Sequence, residues 1–138
     1  MFDKKVIVAL DSSDLNKTIK LIKKLKKEVY AFKIGYQFFF NFGLSGYKTI
    51  YSICPKVFLD LKLHDIPNTV KNGLSALAKI KPLLTTIHIS GGDQMMLSSK
   101  SKNNFTKILG VSILTSLDSK QIKKNNNEKI VSALVKKY

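Results

Sequence analysis

Short apolar runs alternate along this chain with longer stretches whose apolar positions recur at helical spacing. Val6 to Leu10 is continuously apolar and ends in Asp11, the pattern of a buried strand. Ser12, Ser13 and Asp14 supply helix-capping chemistry, and Leu15, Ile19, Ile22, Leu25 and Val29 then fall on one helical face, opposite lysines. Ala31 to Gly35 reads as a second strand, and Tyr36 to about Ile53 as a helical stretch broken near Gly43 and Gly46. After Pro55, Val57 to Lys62 reads as a third strand. A helix is expected from about Ile66, with Pro67 in its first turn, where a missing N–H costs nothing, and Pro82 beyond its end. Leu84 to Ser90 is a fourth strand, followed by Gly91, Gly92 and a short helix over Gln94 to Ser99. Lys107 to Leu114 is a fifth. Lys120 to Asn127 is polar, and its Lys123 to Asn127 part reads as a surface loop. Ile130, Val131, Leu134, Val135 and Tyr138 then share a last helical face.

Five βα alternations imply a parallel sheet with right-handed crossovers. An eight-stranded barrel usually needs more than about 200 residues. The pattern is therefore compatible with a small open α/β sheet or with five-eighths of a barrel, and by itself does not choose. No composition shift divides residues 1–138 into domains.

Composition narrows the setting more than the function. The hydrophobic share of 44% is that of a globular core. Cys54 is the single cysteine, so no internal disulfide is available and a reducing, cytoplasmic compartment is expected. The apolar start is too short for a signal peptide, and the stretch Tyr36 to Leu44 is interrupted by Gln37, Asn41 and Gly43, so no membrane association is expected. The net charge of +15 raises nucleic-acid binding as an alternative. All 24 basic residues are lysine, however, and arginine supplies the bidentate fork that reads phosphates and bases. A lysine-rich codon bias is the simpler explanation, and no nucleic-acid partner is expected.

The chemistry concentrates in FLDLKLHDIPNTV, residues 58–70. Strand side chains alternate faces, so Asp60 and Lys62 point the same way at the carboxyl end of the third strand, where parallel α/β proteins build their sites. Asp65 follows before a helix. The Asp-x-Lys-x-x-Asp run is read as an ammonium between carboxylates, a positioned proton donor. The competing structural reading is a surface ion pair with Asp65 as a helix cap. Asp11 ends the first strand, Lys33 lies in the second, and Thr115 with Ser116 follows the fifth, so polar groups recur at successive strand ends. Taken singly, Asp11 reads equally as a cap and Thr115 as a turn residue. His64 and His88 have no partners at metal-ligand spacing and read as supporting residues.

IVALD at 7–11, KIG at 33–35, LDLKLHDIPNT at 59–69, HISGG at 88–92 and LTS at 114–116 together resemble orotidine 5'-phosphate decarboxylase of the bacterial type, with matching spacing along the chain. The resemblance implies a (β/α)₈ barrel, of which residues 1–138 would be a single incomplete domain covering the first five βα units. It implies a carboxy-lyase that converts orotidine 5'-monophosphate to UMP and CO₂ in pyrimidine biosynthesis, with no metal or organic cofactor, as a homodimer with shared active sites. Lys62 would protonate C6, Asp60 would lie beside the substrate carboxylate, and Asp65, with Ile66 and Thr69, would reach the partner subunit's site. Asp11 and Lys33 would contact the ribose, and Thr115 the pyrimidine end.

The family continues through three more βα units, which carry phosphate-gripping loops and an arginine. This chain has no arginine. A fragment, or a split or truncated gene product, inactive alone and open to complementation by a C-terminal polypeptide, is the expectation. A hexulose-phosphate synthase-like enzyme is the nearest alternative. Those metal-dependent synthases carry glutamate where this chain has Lys33, and they lack the His-Asp-Ile-Pro-Asn-Thr continuation. A non-catalytic remnant is a third reading.

Overall fold

In the computed structural model, residues 5–99 and 105–126 are described. The elements follow the order β1 (Ile7–Ala9), α1 (Leu15–Leu25), β2 (Ala31–Ile34), α2 (Tyr36–Ile53), β3 (Val57–Leu63), α3 (Pro67–Ala78), β4 (Leu84–His88), α4 (Asp93–Ser98), β5 (Lys107–Val111) and α5 (Ser119–Asn126), with a 3₁₀ turn at Ile89–Gly91 before α4. The five strands are parallel and lie in the order β1-β2-β3-β4-β5. A doubly wound sheet reverses its strand order at a switch point. Here each strand pairs with the next in sequence, which is the barrel order and resolves the alternative that periodicity left open.

Right-handed crossovers between consecutive strands put every helix on the same side of the sheet. The main core forms there. Phe32 and Ile34 of β2 and Val57 and Leu59 of β3 pack with Ile22 of α1 and Phe38, Tyr47 and Ile50 of α2. Each such fully buried side chain contributes about 1.5–3 kcal/mol. The second cluster joins Val70 and Leu74 of α3 to Ile87 of β4 and Met95 of α4. Alternation sends Lys33, Asp60 and Thr86 to the opposite face, the inner side of a barrel wall. Among the described residues β1 and β5 each pair with one neighbour, and Ile7 and Leu109 on them are exposed.

Local chemistry explains the boundaries. Asp14 caps α1 by accepting a hydrogen bond from Lys17 N–H at 3.0 Å. Asp11 is thus not the cap. Pro67 opens α3 at its first turn. The expected break in α2 occurs at Gly43 alone, where φ is 55° and ψ −151°. Gly46 stays helical and buried; a Cβ there would collide with Phe42 and crowd Phe38.

Two sequence expectations are corrected. β5 ends at Val111 rather than Leu114, because the chain turns at Leu114–Leu117, where Leu117 N–H donates to Leu114 O at 3.0 Å. The polar stretch expected as a loop is helical through Asn126. Its start is a reciprocal capping box: Gln121 N–H donates to Asp118 Oδ1 at 2.8 Å and Asp118 N–H to Gln121 Oε1 at 3.0 Å. Ile122 supplies a fully buried anchor. The helix expected around Ile130 to Tyr138 lies outside the described residues.

Gly43 generates a stability prediction. No atom lies within 4 Å of a Cβ built there, so an added methyl meets only the backbone penalty. Gly43→Ala is expected to lower unfolding free energy by about 1–3 kcal/mol in chemical denaturation. An unchanged midpoint would mean that this kink is not held in the folded chain.

Candidate functional site

Asp60 sits at the centre of a charged cluster formed by three adjacent strands. Its side chain is 9% exposed, and its carboxylate accepts hydrogen bonds from Lys62 Nζ at 3.0 Å (Oδ1) and 2.9 Å (Oδ2). Lys33 Nζ of β2 lies 3.4 Å from Asp60 Oδ2. From β4, the Thr86 hydroxyl donates to Asp60 Oδ1 at 2.9 Å. Two ammonium groups therefore face one carboxylate at the strand ends. Two of the three Lys62 N–H bonds are directed to Asp60, which leaves one for a ligand.

The backbone beneath this cluster is irregular. Between the pairs Leu59↔Thr85 and Leu63↔Ile87, β3 advances four residues while β4 advances two. Lys62 lies in this bulge with φ at 44°, a left-handed conformation uncommon for a non-glycine residue. Its N–H donates to Thr86 Oγ1 at 2.8 Å. Simple alternation predicted that Asp60 and Lys62 would meet; the bulge is the geometry in which they do.

Opposing influences act on the Asp60 carboxyl. Burial is the largest and pushes its pKa up. The hydrogen bonds from Lys62 and Thr86 and the charges of Lys62 and Lys33 together outweigh it and hold the group below the ordinary carboxylate value. His88 has its pKa lowered, chiefly by burial and further by His64 and Lys62, while Asp60 acts to raise it. The two imidazole rings lie 5.1 Å apart. Among the described residues no three His, Cys, Asp or Glu side chains form a group able to hold a metal ion.

The remaining expected site residues are arranged differently. Asp11 borders the cluster: a Cβ on Gly35 would lie 3.3 Å from Asp11 Oδ1 and 3.7 Å from Lys33 Nζ. Asp65 is exposed, and its Oδ1 accepts from Ile66 N–H at 2.6 Å. Among the described residues no ion pair joins it to Lys62, so the expected ammonium between two carboxylates of one chain is not formed; the two lysines share Asp60 instead. Asp65 is not the cap either, since Ile66 occupies that position without a side-chain cap bond. Asp65 and Thr69 line an open cleft of about 470 Å³ together with Lys62, His64, His88 and Tyr36. Ile66 is 67% exposed. Thr115 is exposed in the turn after β5, and no described contact joins it to the cluster.

Thr86 and Tyr36 were not singled out from the sequence. The Tyr36 hydroxyl donates to Leu61 O at 2.7 Å and ties the start of α2 to β3. For Thr86 a signal existed: a polar residue in an apolar strand, two positions before His88 and so on its face.

Consecutive parallel strands with buried charge at their carboxyl ends define a (β/α)-barrel protein with its site at the end where such barrels carry theirs. The chain belongs to the Orotidine 5'-phosphate decarboxylase / HUMPS family, whose model matches residues 4–138. It is 42% identical over 125 residues to the orotidine 5'-phosphate decarboxylase of Ehrlichia chaffeensis, an alignment covering 89% of this chain and 54% of that protein. The crystal structure of orotidine 5'-phosphate decarboxylase from Lactobacillus acidophilus matches with a TM-score of 0.80 and 38% identity, over 95% of this chain and 62% of that one. The Methanocaldococcus jannaschii orotidine 5'-monophosphate decarboxylase complexed with inhibitor BMP matches with a TM-score of 0.71 and 26% identity, over 79% of this chain and 52% of that one. The chain spans about half the length of the curated relatives it matches.

The cluster predicts an acid-sensitive contribution to stability. Because the folded-state pKa of Asp60 lies below the ordinary value of 3.8, the stabilisation is complete above that value and lost as pH falls through the lowered one. Asp60→Asn is expected to cost about 1–3 kcal/mol at neutral pH. The gap from wild type should narrow below about pH 4 in urea titrations. A gap independent of pH would show that the charge of Asp60 contributes nothing to folding.

Proposed function

We propose that this cluster belongs to the active site of an orotidine 5'-monophosphate decarboxylase, which forms UMP and CO₂ without a metal or organic cofactor. The observation that carries the reading is the shared carboxylate of Asp60, held between Lys62 and Lys33 at the barrel strand ends. Lys33 favours the decarboxylase over a hexulose-phosphate synthase, in which glutamate is expected at that position. The identity to relatives named as decarboxylases supports the same choice.

Decarboxylation breaks the bond between C6 of the pyrimidine and its carboxylate carbon. CO₂ departs, and the electron pair remains in the ring plane at C6, where no aligned π system absorbs it. A fixed ammonium is complementary to that charge as it develops. Lys62 then transfers a proton to C6, leaving a neutral amine that regains its proton from solvent. Asp60 orients Lys62 through both carboxylate oxygens. It would also face the substrate carboxylate and disfavour the ground state. Asp11 and Lys33 would contact the ribose, and Thr115 would line the pyrimidine end once the β5–α5 turn meets substrate. Binding energy from ribose and phosphate is available for use at the reacting carbon.

The exposed Asp65, with Ile66 and Thr69 beside it, fits a residue that serves the neighbouring subunit of a homodimer. A cytoplasmic setting belongs to the same reading. Among the described residues no helix is long and apolar enough to cross a membrane.

The decisive experiment is a UMP-formation assay on a complete barrel carrying this segment, or on these 138 residues together with a polypeptide supplying the other strands. Lys62→Ala is expected to lower kcat by about 10²–10⁴-fold while the circular dichroism spectrum is kept. Retention of most of kcat would remove Lys62 from the proton-donor role. Turnover of hexulose phosphate with Mg²⁺, and none of orotidine monophosphate, would favour the synthase reading.

Subunit mixing tests Asp65 separately. Complete Lys62→Ala and Asp65→Ala chains, each inactive alone, are expected to regain activity when their subunits exchange, because one site of each heterodimer then holds both groups. No recovery after verified exchange would mean that Asp65 acts within its own subunit.

A further inference from the structure

We propose that Thr86 is a positioning residue whose hydroxyl locks the β3 bulge and so aims the Lys62 ammonium. Its kinetic consequence rests on the decarboxylase reading above; its structural consequence does not.

The bulge between Leu59 and Leu63 takes Lys62 out of the regular β3–β4 ladder. In a parallel ladder a backbone carbonyl of the adjacent strand would accept a hydrogen bond from its N–H. Here the acceptor is Thr86 Oγ1, at 2.8 Å. The same oxygen donates its only proton to Asp60 Oδ1, at 2.9 Å. Both polarities are forced, because a backbone N–H only donates and a carboxylate only accepts. One hydroxyl thus holds the backbone of Lys62 and the side chain of Asp60, which in turn takes the Lys62 ammonium at 2.9 and 3.0 Å.

Three observations make this more than a filled hydrogen bond. Thr86 is 4% exposed, so water does not readily replace its hydroxyl. Lys62 has φ at 44°, a conformation that persists only where its surroundings hold it. The neighbouring Thr85 hydroxyl, by contrast, donates to a backbone acceptor, Leu59 O, at 2.9 Å on the regular side of the bulge. Threonine also suits the place sterically: its branched Cβ restricts χ1, so the hydroxyl is held in one direction.

Thr86→Val keeps the shape and removes the hydroxyl, and Thr86→Ser keeps the hydroxyl. Thr86→Ala serves in place of the valine variant if that one does not fold. Two readouts separate positioning from packing. The first is the titration of the Asp60 carboxyl by ¹³C NMR in the folded chain, which needs no catalysis. Thr86→Val is expected to move its midpoint upward, and Thr86→Ser to hold it near wild type. The second is steady-state decarboxylation of orotidine monophosphate by the complete barrel. There Thr86→Val is expected to lower kcat about tenfold to a hundredfold with KM little changed, and Thr86→Ser to recover most of it. An Asp60 midpoint and a kcat unaltered in Thr86→Val would overturn the proposal, as would a serine variant as impaired as valine, since packing would then explain both. A moved midpoint in a protein whose wild type does not decarboxylate orotidine monophosphate would uphold the hydroxyl clip and reject the decarboxylase reading.

Discussion

A carboxylate out of water must be compensated, and the compensation of Asp60 organises the rest of this site. Its side chain is 9% exposed and meets two ammonium groups and a hydroxyl. An unpaired charge at this depth would be costly and would neutralise by binding a proton. With Lys62, Lys33 and Thr86 in place it stays ionised, and each partner comes from a different strand. The pairing therefore requires β2, β3 and β4 to be adjacent, parallel and correctly staggered. Disorder in any of the three would release charge into an apolar wall.

The same interaction connects folding to chemistry. The helix-facing sides of β2 and β3 hold their positions through Phe32, Ile34, Val57 and Leu59. Those side chains set the distance between strands, and that distance sets the reach from Lys33 to Asp60. Lys62 adds a local exception: its left-handed backbone gives up ladder regularity at the point where the ammonium is presented. Strain of this kind is concentrated at functional sites because the surroundings must over-determine it. The rigid wall supplied by the core makes that possible.

Much of the local structure was legible in the residues. Pro67 in the first turn, the Asp14 cap and the break at Gly43 each follow from the chemistry of one residue and its near neighbours. The capping box at Asp118 and Gln121 was equally local, yet the polarity of the segment masked it. The end of β5 was misjudged because apolar residues continue to Leu114 while the backbone already turns. Hydrophobicity does not report backbone direction, and Leu114 is in fact exposed in the turn.

Sequence alone determined the alternation of elements, the shared face of Asp60 and Lys62, and the family to which the LDLKLHDIPNT stretch points, because these depend on neighbours within a few residues. Tertiary structure alone decided that the strands run in consecutive order, that Lys33 shares Asp60 with Lys62, that Asp65 forms no ion pair with Lys62 among the described residues, and that Thr86 closes the bulge. Those facts depend on the register between strands some 24 to 27 residues apart, as in Lys62 with Thr86 and Lys33 with Asp60. Register is set by the summed packing of the helix-facing side chains, a property of the assembled wall that no local pattern contains.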